Sequence, residues 1–176
     1  MAQQQNYGPG GNRPGYQGRP DQNRGPQGGQ PYPRDTAPAA GNDEKTDLTK
    51  QKTAIEGWVR DGIDKSTVEF ANDFGRLVAK EELTNSQIRT VFGEMRRIQM
   101  NGYVPEKTSF IMLKPKLAYA VKRHKKDGLE KFYKLFSIAY DIVDTKDDEI
   151  GKSQFENMMN LLEAVLAYHK FHGGKE

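Results

Sequence analysis

From Thr46 onward the apolar side chains recur at helical spacing, and strand-like alternation is scarce. That periodicity confines the chain to helices, each with an apolar stripe that must be buried against a neighbour. Residues 66–80 place Val68, Ala71, Phe74, Leu77 and Val78 on such a stripe. Thr84 followed by Gln87 is a capping box opening a helix with Ile88, Val91, Phe92, Met95 and Ile98, which closes at Asn101-Gly102. Residues 110–126 align Phe110, Leu113, Leu117, Ala120, Val121 and His124 on one side. Pro115 within that run requires either a helix start near Lys114 or a kink. Gly128 separates this segment from 129–143, where Phe132, Leu135, Phe136, Ala139, Ile142 and Val143 form the next stripe.

An acidic connection over 144–151 leads to a last helix over 153–171. Phe155, Met158, Met159, Leu162, Val165 and Leu166 make it apolar on several sides, as in a central buried helix. A short helix over 51–60, around Ile55 and Trp58 and ended by Gly62, completes the set, and Gly173-Gly174 ends the fold. The expected fold is all-α, a compact bundle of five to six helices.

The opening of the chain has a different composition. Half of the 18 glycines and seven of the nine prolines precede residue 42, with almost no aliphatic side chains among them. Such a stretch buries too little apolar surface to offset the entropy of ordering itself. Residues 1–45 are therefore predicted to be a disordered Gln/Gly/Pro/Arg-rich tail, and residues 46–176 a single helical domain. Arg13, Arg19, Arg24 and Arg34, with Tyr7, Tyr16 and Tyr32, suit weak phosphate and base contacts, or the tail is a plain solubilising leader.

Net charge is +3, so a polyanion partner cannot be argued from the total and must rest on local clusters. The absence of cysteine excludes disulfides, thiolate zinc sites and thiol catalysis. Neither a signal peptide nor a membrane-spanning run is evident, which makes a cytoplasmic protein without membrane contact the expectation.

The densest cluster is Lys122, Arg123, His124, Lys125 and Lys126, with Lys114 and Lys116 earlier on the same helix. A helix that packs with one side and fans cations over the rest suits nucleic-acid phosphates; the alternative is an ordinary solvated face. Tyr119 projects into this basic face, to stack on a base or to cover the edge of the core. On the helix opened by Thr84, Arg89 and Arg96 are seven residues apart and so within about 20° around the axis. With Arg97 they are candidate phosphate contacts, or a solvated face with Glu94 as local partner. Gly93, in mid-helix, costs roughly 1 kcal/mol relative to alanine and marks either close approach of another backbone or ordinary packing. His169 and His172 lack a third ligand, so a core histidine is preferred to a metal site, and the acids of 144–149 lack EF-hand spacing. No phosphate loop, nucleophile elbow or metal motif appears; neither cofactor nor catalysis is expected.

Three stretches in this order are similar to the small subunit of the type III-A CRISPR interference complex, the Csm small-subunit family. They are residues 83–89 continuing to 92–98 (LTNSQIR, FGEMRRI), 113–120 (LKPKLAYA) and 162–174 (LEAVLAYHKFHGG). The resemblance covers about residues 69–174 and leaves out the tail. It implies a small non-catalytic helical protein whose copies stack along guide RNA and target RNA, beside backbone subunits, while other Csm subunits cleave and signal. Carried over by position, it makes Arg89, Lys114 and Lys116 candidate RNA contacts; Arg96 and Arg97 are candidates for RNA or for a neighbouring subunit. Lys122, Arg123, Lys125 and Lys126 are nominated by charge and geometry alone. The rival reading is a helical protein-interaction adaptor whose basic faces dock an acidic partner.

Overall fold

Four polar side chains decide where the longer helices begin. The computed structural model describes residues 43–175 and holds eight helical segments there: α1 (Asp43–Thr46), α2 (Leu48–Asp61), α3 (Lys65–Lys80), α4 (Asn85–Asn101), α5 (Lys107–Ile111), α6 (Leu113–His124), α7 (Asp127–Tyr140) and α8 (Asp148–Phe171). Asp47 Oδ1 accepts from Thr49 N at 2.9 Å ahead of α2, and Asp147 Oδ1 from Ile150 N at 2.9 Å ahead of α8. Asp64 and Thr67 exchange hydrogen bonds in a capping box ahead of α3. Thr84 and Gln87 do the same ahead of α4, as the sequence predicts. Each cap satisfies amides with no partner inside the helix and is worth about 1 kcal/mol.

The fold is all-α, and the six segments of 12 residues or more match the expected five to six helices. α8 packs along α3 and α2, α7 crosses α2, α3 and α6, and α6 lies against α4. One apolar core joins them, with Phe74, Phe110, Phe132, Phe136 and Phe155 among its fully buried side chains. Of the predicted unfolded tail over 1–45, residues 1–42 lie outside the described residues. Helix α1 begins at Asp43, within the stretch assigned to that tail.

Several local expectations are corrected. The run 110–126 is two helices, with Phe110 in α5 and Met112 joining the segments; of the two placements expected for Pro115 the first holds, in the first turn of α6, where it costs no internal hydrogen bond. His124 is exposed at the end of α6 and takes no part in the core. In α3 the buried stripe is Thr67, Phe70, Ala71, Phe74 and Val78, while Val68 faces outward at 42% exposure. Gly128 does not separate helices. It is the second residue of α7, and a Cβ there would come within 2.7 Å of Glu81 O and 2.8 Å of Leu83 N. Gly151 likewise lies inside α8, its missing side chain leaving room for the Asp144 carbonyl. Gly93 is the reverse case: a Cβ there would meet nothing within 4 Å, so no neighbouring part of this chain requires the glycine.

These glycines are separable by stability. Gly93→Ala is expected to stabilise the fold by about 1 kcal/mol through helix propensity alone. Gly128→Ala, forced against backbone, is expected to cost about 1–3 kcal/mol. Urea unfolding followed by circular dichroism checks both signs.

Candidate nucleic-acid interface

The last turn of α6 carries Lys122, Arg123 and His124 at the negative end of the helix dipole, where cations are favoured. Lys125 then closes the helix in the left-handed conformation (φ 50°), its amide donating to Val121 O at 3.0 Å. Lys122, Arg123 and Lys125 are exposed, and none meets a carboxylate among the described residues. Tyr119 is 69% exposed, so it stands clear of the core instead of covering its edge.

This end of α6 lies on the turn between α3 and α4. Gly128 N donates to Glu81 O at 3.2 Å, and Lys126 Nζ lies 3.0 Å from Glu82 Oε2. Lys175 Nζ approaches the other oxygen of Glu82 at 3.0 Å. Held between Lys175 and Lys126, the Glu82 carboxyl drops from 4.5 to about 2. Lys175 arrives there because His169, fully buried on α8, hydrogen-bonds through Nε2 to Leu83 O at 2.8 Å. A Cβ on Gly174 would fall within 2.5 Å of the His169 ring, so the chain passes close over it, and Asn85 N donates to Lys175 O at 3.0 Å. Lys126, Lys175 and the cations of the last α6 turn thus gather at one end of the bundle.

The other nominated residues mostly have partners within the chain. Arg97 bridges Glu94 at 3.1 Å and Glu106 at 2.5 Å and donates to Ser109 Oγ at 2.8 Å, tying α4 to the start of α5. Its hydrogen bond is the main reason the Glu106 carboxyl falls from 4.5 to about 2, with Ser109 and Asn101 adding to it. Lys116 reaches Glu94 at 3.5 Å, joining α6 to α4. Lys114 pairs with Asp141 at 2.6 Å and lies 5.4 Å from the centre of the Tyr140 ring. Arg96 Nη2 is 3.1 Å from Glu163 Oε1, and its guanidinium lies 5.7 Å from the centre of the Phe92 ring. Arg89 is exposed and meets no carboxylate among the described residues.

The family model described as Csm2 Type III-A matches residues 64–175, from the cap of α3 to the lysine beside Glu82. The chain belongs to the Csm2 Type III-A family. It is therefore a subunit of the Csm complex of type III-A CRISPR defence and associates with other Csm subunits. The family is a structural one within that complex. Neither a curated protein nor a solved structure matches the chain.

Within this Csm2-family fold, His169 is the core histidine expected from its place on the apolar face. His172 Nε2 lies 2.7 Å from Asn72 Oδ1, which gives it a separate role. No group of three potential metal ligands occurs among the described residues, and none of their helices is long and apolar enough to cross a membrane. Sequence reasoning missed Lys175 and Glu82. Gly173-Gly174 reads as a chain end, and nothing in spacing reveals that a glycine over a buried histidine returns the chain to α4.

The Arg97–Glu106 pair makes a signed pH prediction. A carboxyl lowered in the folded state adds stability that is complete above its unfolded value of 4.5 and is lost as pH falls toward about 2. The difference in melting temperature between the parent and Glu106→Gln is expected to be constant from neutral pH to about pH 5 and to close below it. A difference unchanged by pH would show that the pair is not coupled to folding.

Proposed function

We propose that this Csm2-family chain is a non-catalytic RNA-binding scaffold of the effector, working in the cytoplasm and stacking with further copies of itself along guide RNA and target RNA. The observation that carries the reading is the end of α6. Lys122, Arg123 and Lys125 are exposed without a carboxylate partner among the described residues, and beside them Lys126 and Lys175 share the one carboxylate of Glu82. Cations left unneutralised inside the chain attract phosphate by counterion release. Exposed Tyr119, on the same helix, adds a ring for stacking on a base or ribose. Arg89 joins the set as the nominated α4 cation without an ion pair among the described residues, while Arg96, Arg97, Lys114 and Lys116 are secondary because carboxylates already hold them. Contacts of this kind read backbone geometry, so binding is largely independent of base identity. Residues 46–176 act as the subunit domain and the tail as an appendage to it.

The test is fluorescence anisotropy with single-stranded RNA over a salt series. The Lys122/Arg123/Lys125 triple alanine variant is expected to weaken binding and to flatten the logarithmic salt dependence by about 0.7 per lost contact. Arg89→Ala should produce a smaller change in the same direction. Unchanged affinity and slope in both variants would remove RNA from this face. A gently purified protein with no nuclease-sensitive absorbance at about 260 nm would also favour the adaptor reading.

A further inference from the structure

The turn between α3 and α4 is shaped for a glycine and carries Glu82 instead. Leu83 N donates to Val78 O at 3.0 Å and Glu82 N to Ala79 O at 3.2 Å, a paired closure whose residue just past the helix is left-handed. Glycine takes that conformation freely, whereas Glu82 takes it at φ 61° and at a conformational cost. A costly residue at a turn calls for a use of its side chain.

That use is not to hold the fold. The bond from Gly128 N to Glu81 O, 3.2 Å, fixes the start of α7 beside the turn, and the bond from Asn85 N to Lys175 O, 3.0 Å, fixes the returning chain. Both lysine backbones are thereby placed without the Glu82 carboxylate. Its half-exposed ion pairs to Lys126 and Lys175 add little to stability. The neighbouring acids have other uses: Glu81 pairs with Lys131, Glu130 with Lys134, and Asp127 opens α7, where negative charge suits the helix dipole.

What Glu82 does is neutralise. One of its oxygens faces Lys126 Nζ and the other Lys175 Nζ, each at 3.0 Å, the arrangement in which two ammonium groups also hold the non-bridging oxygens of a phosphodiester. With its carboxyl lowered to about 2, Glu82 stays ionised at any working pH, so a proton does not open this seat and a competing anion does. We infer that the Glu82 carboxylate stands in for an RNA phosphate in the free subunit, and that RNA displaces it to reach Lys126 and Lys175. The inference rests on the RNA reading of this end of the bundle. Lys122, Arg123 and Lys125, which meet no carboxylate among the described residues, make the first contacts, and the seat between Lys126 and Lys175 then exchanges one anion for another. Glu82 therefore holds down the affinity of the subunit for RNA.

The full-length parent, Glu82→Gln, Lys126→Ala/Lys175→Ala and the triple variant combining all three changes are compared by anisotropy with single-stranded RNA over a salt series. Glu82→Gln is expected to bind about tenfold tighter near 0.15 M salt and to steepen the logarithmic salt dependence by about 1.4, for two lysines released to phosphate. Its melting temperature is expected to stay within about 3 °C of the parent. In the Lys126→Ala/Lys175→Ala background the same substitution should leave affinity and slope unchanged. Glu82→Gly, which suits the positive φ, removes the same charge and is expected to repeat both changes in binding. A tenfold gain that persists without the two lysines would overturn the inference, since any lost negative charge would then serve. Unchanged affinity and slope in Glu82→Gln and Glu82→Gly, in a parent that does respond to loss of Lys122, Arg123 and Lys125, would overturn it and leave the RNA reading standing. No RNA binding by the parent or by either Glu82 variant would overturn both.

Discussion

The arrangement of this bundle depends on how closely α3 and α8 approach. At Gly75 a side chain would come within 2.8 Å of His169 N, Tyr168 Cβ and Val165 O, so the backbone of α8 rests directly on α3. From that contact His169 reaches Leu83 O, which holds the turn leading into α4. Gly128 then lets α7 settle on the same turn. Three helices are thus set by backbone against backbone, where a single methyl group changes the geometry, and larger apolar side chains such as Phe74 and Phe155 fill the space around them.

The polar side chains follow a second rule. Cations that face a carboxylate from another element hold helices together: Arg97 ties α4 to the residue ahead of α5, Lys116 ties α6 to α4, and Lys114 ties α6 to the residue after α7. Most are at least partly exposed, so each contributes little to stability alone and serves more to fix orientation. The last turn of α6 is different because the chain brings no carboxylate to Lys122, Arg123 or Lys125 among the described residues. A near-neutral chain can therefore leave a few cations at one end without a carboxylate partner among the described residues.

Much of the fold was legible because caps and stripes act locally. The Thr84–Gln87 box, the stripe of α4 and the apolar girth of α8 are all properties of adjacent residues, and they reappear where spacing places them. Gly128 and Gly151 were misread because a glycine that punctuates a helix and one that admits a neighbouring backbone look alike in sequence; only the fold tells them apart. The candidate site was half legible. Azimuth around a helix shows which cations share a face, but Glu106, Asp141 and Glu163 neutralise some of them from outside their own helices. Lys175 was invisible for the same reason, being delivered to the α3–α4 turn by a buried hydrogen bond and a close glycine contact that spacing does not reveal.

Two residues at the cationic end, Glu82 (φ 61°) and Lys125 (φ 50°), occupy backbone conformations that glycine adopts more readily. Both bear charge, and both lie where α6 and α7 meet the turn between α3 and α4. A glycine at position 125 would relax the helix end and remove a cation from it in the same step. Durability and positive charge are therefore opposed at this one residue, and variants of the family that gain heat resistance there would do so by giving up part of the electrostatic field.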